Sequence, residues 1–173
     1  ETNEKDDLNT TIKQMKRRDF ITTSGAAVAG AMLVSPFGSA AGEAVTAAPK
    51  RKIALVGTGS RGNGFWGKHI LQEYGDLIEF VGLCDINPGR VEYARKFIGT
   101  NCPVFTNFDE MMTRVKPDLL IVTTVDATHD HFIVKGLEAG CDVLTEKPMT
   151  TDEVKCQAIL DAERRTGRKV IVG

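Results

Sequence analysis

Lys52-Ile53-Ala54-Leu55-Val56-Gly57-Thr58-Gly59-Ser60-Arg61-Gly62 decides the fold of this chain. Lys52–Gly57 is a short apolar run that closes on glycine, the mark of a buried strand. Gly57, Gly59 and Gly62 are spaced G-x-G-x-x-G, and Phe65, Trp66, His69 and Ile70 then fall on one side of a helix. Strand, glycine turn and helix in that order cradle a pyrophosphate. Gly57 permits the tight turn, Gly59 lets phosphates approach the main chain, and Gly62 lets the helix pack close to the sheet. Amides at the helix N-terminus then face the anion. Thr58, Ser60 and Arg61 fill the turn and are read with the glycines as dinucleotide-binding, Arg61 adding a cation. Asp85 ends the next apolar run, Glu79–Asp85, 23 residues beyond Gly62. A carboxylate there accepts from the adenosine ribose hydroxyls and repels a 2′-phosphate, so NAD is favoured over NADP. Arg90, five residues on, keeps NADP open.

Strand and helix signals alternate through the rest of the chain. Asn87-Pro88 is a helix cap followed by proline at the first helical position, and Val91, Ala94 and Ile98 line that helix up to Gly99. Pro103–Thr106 is a weak third strand. Asn107 and Glu110 are spaced like a capping box before Phe108, Met111, Met112 and Val115, one helical face. Asp118–Thr124 is apolar without alternation, so both its faces are expected to be covered. Phe132, Ile133 and Leu137 mark a helix ending near Gly140, and Asp142–Glu146 is the fifth strand. Thr150 and Glu153 predict a second capping box, with Val154, Ala158, Ile159 and Ala162 facing inward up to Gly167. Lys169–Val172 begins a sixth strand. Six strands alternating with five helices predict an α/β fold with a doubly wound parallel sheet over residues 51–173.

The 173 residues are 42% hydrophobic and 26% charged, which excludes collagen, coiled coil and a fully disordered chain. The net charge of −1 offers no basic surface for nucleic acid. No stretch is long and apolar enough to read as a membrane span. The cysteines, Cys84, Cys102, Cys141 and Cys156, form no C-x-x-C pair, so no zinc knuckle or disulfide framework is indicated. His129 and His131 alternate at i, i+2 and do not share a helical face, so no metal pair is read there.

Residues 1–14 are polar and read as an unstructured extension. Residues 15–41 run from Met15 through Lys16-Arg17-Arg18-Asp19-Phe20 into a weakly apolar stretch and then small residues, the grammar of an export signal. Lys-Arg-Arg-Asp-Phe-Ile resembles the twin-arginine signal of bacteria. Cleavage after Ala40 or Ala41, a linker over 42–50 and a periplasmic or otherwise exported protein are the expectations, with the twin-arginine export machinery as a partner.

Two further stretches stand at expected carboxyl ends of strands, where open α/β sheets bind ligands. They are Thr123-Thr124-Val125-Asp126-Ala127-Thr128-His129 and Thr145-Glu146-Lys147-Pro148. A lysine beside a reacting centre polarises a hydroxyl or carbonyl, or relays a proton. With the Gly57–Gly62 turn and the Asp85 strand end, these stretches resemble the Gfo/Idh/MocA oxidoreductases, Glu146-Lys147-Pro148 above all. The resemblance covers about residues 51–173.

That resemblance implies NAD(P)-dependent hydride transfer to or from a sugar or polyol. Lys147 matches the lysine that contacts the substrate hydroxyl, and Glu146 and Pro148 match neighbours shaping the nicotinamide pocket. Thr123, Thr124 and His129 match a segment running past the nicotinamide ribose. For His129 a plain helix-start role stands equally open. Family members continue into a second, mostly antiparallel α/β domain that carries the substrate floor and the oligomer interface. The chain is therefore expected to be the cofactor half of an enzyme, inactive alone and a homo-oligomer at full length. Export adds a further expectation, because a protein exported folded can carry a tightly held dinucleotide and must regenerate it within its own cycle. Two other readings stay open: an NAD-dependent redox-cycling glycosidase, and a non-catalytic dinucleotide-binding module.

Overall fold

The computed structural model describes residues 48–173. The expectations for the extension, the export signal and most of the linker fall on residues 1–47 and lie outside the described residues.

Six strands form one sheet: β1 (Arg51–Val56), β2 (Ile78–Cys84), β3 (Val104–Phe105), β4 (Leu119–Val122), β5 (Asp142–Thr145) and β6 (Val170–Val172). Their order is β3-β2-β1-β4-β5-β6 and every pairing is parallel. Five helices alternate with them: α1 (Gly62–His69, continuing through Ile70–Tyr74), α2 (Pro88–Ile98), α3 (Phe108–Val115), α4 (His129–Glu138) and α5 (Glu153–Thr166). This is the doubly wound order of the Rossmann fold, whose ligand crevice opens where the order reverses, between β1 and β4.

Alternation along the central strands builds two cores. Ile53 and Leu55 of β1 pack with Leu119 and Ile121 of β4 under Val91, Ala94 and Ile98 of α2, with Trp66 and Ile70 of α1 beside them. Ala54, Val56, Leu120 and Val122 face the other way, against Met111 and Met112 of α3, Ile133 and Leu137 of α4, and Ile159 and Ala162 of α5. Each fully buried Leu or Ile here contributes about 1.5–3 kcal/mol. These unbroken apolar strands are stable because both faces are covered, as their lack of alternation predicts.

The helix boundaries follow local chemistry. Asn87 accepts from the Arg90 amide at 3.1 Å and Asn107 from the Glu110 amide at 3.0 Å, each meeting one orphan donor of a first turn. Gly99 and Gly167 end α2 and α5 with φ of 83° and 69°. α5 departs from expectation. Its cap is Asp152, which accepts from the Lys155 amide at 2.9 Å, and not Thr150. A carboxylate both caps and meets the helix dipole, so it outcompetes the hydroxyl two residues before it. The buried face then runs through Ile159 and Ala162, leaving Val154 and Ala158 exposed.

Candidate functional site

The carboxyl ends of β1, β2, β4 and β5 bring the expected site residues to one edge of the sheet. Gly57 follows β1 with φ of +89°, and a Cβ there would lie 2.6 Å from the Thr123 carbonyl carbon. A Cβ on Gly62 would lie 2.3 Å from the Gly57 carbonyl oxygen and 2.6 Å from Thr123 Oγ1. Both glycines therefore let the turn, α1 and the end of β4 close on one another. Thr123 completes that closure by donating its hydroxyl to the Gly57 carbonyl at 2.5 Å. Gly59 is different: nothing lies within 4 Å of a Cβ built on it. Its surroundings are open where a phosphate would approach. No side chain caps α1 at Arg61, so the head of the helix is left open to an anion, although the Asn63 amide already donates to the Gly59 carbonyl at 2.8 Å.

Asp85 is buried at the end of β2. Its Oδ2 accepts from the Thr58 amide at 2.9 Å and the Thr58 hydroxyl at 3.0 Å, while Oδ1 accepts from the Asn87 amide at 2.9 Å. The Arg90 guanidinium stands 3.7 Å from Oδ2. Asp85 thus shapes the turn as well as facing the crevice, with lone-pair capacity left on Oδ1 for a ribose hydroxyl. Thr58 is fully buried, its amide and hydroxyl donating to Asp85 and its carbonyl accepting from Asn63 Nδ2 at 2.9 Å. Thr58, expected among the dinucleotide contacts, here gives its polar atoms to the support of the turn. Ser60 is exposed at the head of α1.

A cleft of about 390 Å³ opens between the turn, Asp85 and Thr124. Ile86 and Val125 are both strongly exposed and both line it, one from each side of the switch point. Two apolar walls with a carboxylate and a glycine turn between them suit a nucleoside. Sequence reasoning singled out neither residue. Cys84 also lines the cleft, and burial, with the nearby Asp85 charge, pushes its thiol up to about 11. It is a wall residue and not a nucleophile.

Glu146, Lys147 and Pro148 follow β5. Glu146 is 8% exposed, and its Oε1 accepts from Trp66 Nε1 at 2.6 Å and Arg61 Nε at 2.5 Å. Burial alone would raise the carboxyl; the hydrogen bonds from Trp66 and Arg61 and the Arg61 charge outweigh it and hold the carboxyl below its ordinary value. Arg61 therefore contacts Glu146, where a phosphate contact was expected. Trp66, read from sequence as a helix-face residue, belongs to this site. Its indole N–H needs an acceptor when buried, which is the signal that points to it.

Lys147 is exposed, and its side chain makes no hydrogen bond or ion pair among the described residues. Its amide donates to the Gly173 carbonyl at 3.1 Å. Pro148 follows a cis peptide bond and offers its carbonyl to His129 Nδ1 at 2.8 Å. His129 is fully buried, with Nε2 at 3.1 Å from the Thr124 carbonyl. It sits at the start of α4 with both ring nitrogens facing main-chain carbonyls. Thr124 lines the cleft, its hydroxyl 2.9 Å from Thr128 Oγ1. His131 is exposed, and no metal-binding group of His, Cys, Asp or Glu occurs among the described residues.

Residues 51–173 match the Gfo/Idh/MocA family, described as an oxidoreductase family with an NAD-binding Rossmann fold. The chain belongs to that family. The YteT protein of Bacillus subtilis (strain 168) is 36% identical over 126 residues, 70% of this chain and 29% of that one. An inositol 2-dehydrogenase/D-chiro-inositol 3-dehydrogenase of Lactiplantibacillus plantarum is 24% identical over 120 residues, 69% of this chain and 34% of that one. Among solved structures, the WlbA dehydrogenase of Chromobacterium violaceum in complex with NADH and UDP-GlcNAcA superposes with a TM-score of 0.67 and 27% identity. That match covers 82% of this chain and 38% of the other. This member of the family thus spans about a third of the length of the curated relatives it matches. The open approach at Gly59, the uncapped head of α1 and the cleft at Asp85 all fit the family's NAD.

Proposed function

We propose that this chain is the cofactor-binding half of an NAD-dependent oxidoreductase acting on a sugar or polyol. The observation that carries this reading is Lys147: an exposed amine on a fixed backbone at the carboxyl end of β5, on the sheet edge that also holds the glycine turn. The names of relatives support the substrate class, since they include inositol dehydrogenases and a dehydrogenase held with a nucleotide sugar.

Bound NAD supplies a hydride acceptor at nicotinamide C4, and NADH the reverse. The chain's own residues then divide the work. Gly59 and the leading amides of α1 receive the pyrophosphate. Asp85 accepts from the adenosine ribose and disfavours a 2′-phosphate, with Arg90 beside it as the group through which NADP would be admitted. Ile86 and Val125 exclude water from the base. Thr124, Glu146 and Pro148 shape the nicotinamide end. Lys147 holds the substrate oxygen and shares its proton as the carbinol C–H bond breaks or forms.

Export by the twin-arginine route belongs to the same proposal, supported by Lys16-Arg17-Arg18-Asp19-Phe20 and the small residues after it. An exported enzyme would fold with its dinucleotide already held. Homo-oligomerisation of the whole protein is likewise proposed from the family.

Lys147→Ala in the whole enzyme tests the reading, with inositols, aldoses and UDP-sugars as substrates and calorimetry for NADH. Turnover is expected to fall at least a hundredfold while NADH affinity stays within about threefold, since the lysine touches the reacting oxygen and not the dinucleotide phosphates. Unchanged turnover, or lost NADH binding, would overturn it.

A further inference from the structure

We propose that Arg61 and Trp66 are positioning residues for Lys147: by clamping Glu146 they join the glycine turn and the Lys147 loop into one unit. The inference rests on the role given to Lys147 above.

Glu146 precedes Lys147 and is buried, yet it is a carboxylate. A buried carboxylate is held in place only where donors meet it. The donors come from the first turns of α1 and from the residue that caps it, 80 and 85 residues earlier in the chain. They converge on the same oxygen, Oε1, so Arg61 and Trp66 are locked to each other as well as to Glu146. The rest of Arg61 is also engaged, because its guanidinium lies 4.6 Å from the Phe65 ring centroid. The Phe65 ring in turn meets Trp66 edge-on at 4.8 Å.

Trp66 reaches Lys147 by a second route. The Lys147 amide is bound to the Gly173 carbonyl, and the Gly173 amide to the Thr145 carbonyl at 2.9 Å. A Cβ on Gly173 would come within 2.8 Å of Trp66 Cζ2, so the indole lies against the main chain that anchors Lys147. The lysine's flanking residue and its backbone partner are thus both held from α1. Its amine alone is left to the solvent.

An arginine in a phosphate-binding turn would ordinarily be assigned to the phosphates. Here that assignment would strip a buried carboxylate of its cationic partner. The geometry instead spends Arg61 on Glu146 and leaves the phosphates to main-chain amides. Arg61 is the charged side chain that meets Glu146 among the described residues, so the ionisation of Glu146 reports the clamp.

The test uses ¹⁵N-labelled chain, with the Trp66 indole N–H resonance identified by its loss in Trp66→Phe. In the wild type this resonance shifts as Glu146 is protonated at acid pH, and Glu146→Gln abolishes that shift. In Arg61→Ala the titration moves to higher pH by at least half a unit, and Arg61→Lys brings part of it back. Amide exchange at Lys147 rises at least fivefold in Arg61→Ala and in Trp66→Phe. NADH affinity in Arg61→Ala stays within fivefold of wild type. A titration or Lys147 exchange rate that does not move overturns the clamp. So does a fivefold or greater loss of NADH affinity, which would make Arg61 a phosphate ligand. Failure of the wild type to bind NADH would sink the proposed function and leave the indole titration to judge the clamp.

Discussion

His129 Nδ1 lies 2.8 Å from the carbonyl oxygen of Pro148, across a gap of 19 residues, while Nε2 faces the Thr124 carbonyl at 3.1 Å. One buried ring therefore ties the loop after β4 to the loop after β5. Carbonyls only accept and a neutral imidazole carries one N–H, so the ring donates to one of the two, and the shorter contact assigns that N–H to Pro148. His129→Ala removes that donor, orphans a buried carbonyl and leaves a void. The expected cost is about 2–4 kcal/mol in urea unfolding of the chain. A loss below about 1 kcal/mol would mean the loops hold one another without the ring.

Asp85 offers a second case in which one side chain organises a loop and faces a ligand. Asp85→Asn keeps the shape but turns one acceptor atom into a donor. That donor must face either the Thr58 amide or the Asn87 amide, both donors themselves. Stability is expected to drop by about 1–3 kcal/mol, with NADH affinity falling in step. Arg90→Ala is the control. Its half-exposed pair with Asp85 at 3.7 Å is worth less than about 1 kcal/mol, so unfolding should barely change. Calorimetry and urea titration of both variants check the pair. Equal effects would show that Arg90, and not the Thr58 and Asn87 amides, keeps Asp85 in place.

These residues also mark what the sequence carries and where it stops. The Gly57–Gly62 turn, the Asn87 and Asn107 caps and the apolar strands were legible because each is set by residues within a few positions of one another. The six-stranded parallel sheet followed from their alternation. Partner choice across the chain was not legible. Arg61 meets a carboxylate 85 residues away, and nothing local tells a phosphate ligand from a Glu146 partner. His129 and Thr58 look like ligand contacts by motif, and nothing local shows that their polar atoms meet Pro148, Thr124 and Asp85. Trp66 looked like an ordinary helix-face residue because its indole acceptor lies in the loop after β5, 80 residues away. The Thr150 box failed for a local reason: Asp152 competes for the same helix end.

Glu146 makes stability depend on pH in one direction. Its folded pKa lies below the ordinary value of 4.5, so the unfolded chain takes up the proton first. The stabilisation is fully present above 4.5 and is lost as the pH falls from there through the folded pKa. Urea midpoints between pH 6 and pH 3 should therefore fall more steeply for wild type than for Glu146→Gln, with the curves converging at the acid end. Parallel curves would show that Arg61 and Trp66 do not favour the ionised form.

The three turn glycines separate scaffold from ligand contact. Gly57→Ala forces a side chain to φ of +89° with its Cβ 2.6 Å from Thr123 main chain, and neither can yield. The expected destabilisation is on the order of 2–5 kcal/mol. Gly62→Ala meets the Gly57 carbonyl at 2.3 Å and should behave alike. Gly59→Ala places its methyl in open space, so unfolding should shift by less than about 1 kcal/mol. That same open space is where the pyrophosphate would lie against the main chain. NADH affinity should fall at least tenfold, about 1.4 kcal/mol, in a protein as stable as wild type. A stable Gly59→Ala chain that binds NADH normally would place the pyrophosphate elsewhere on the sheet edge, and with it the whole assignment of the crevice.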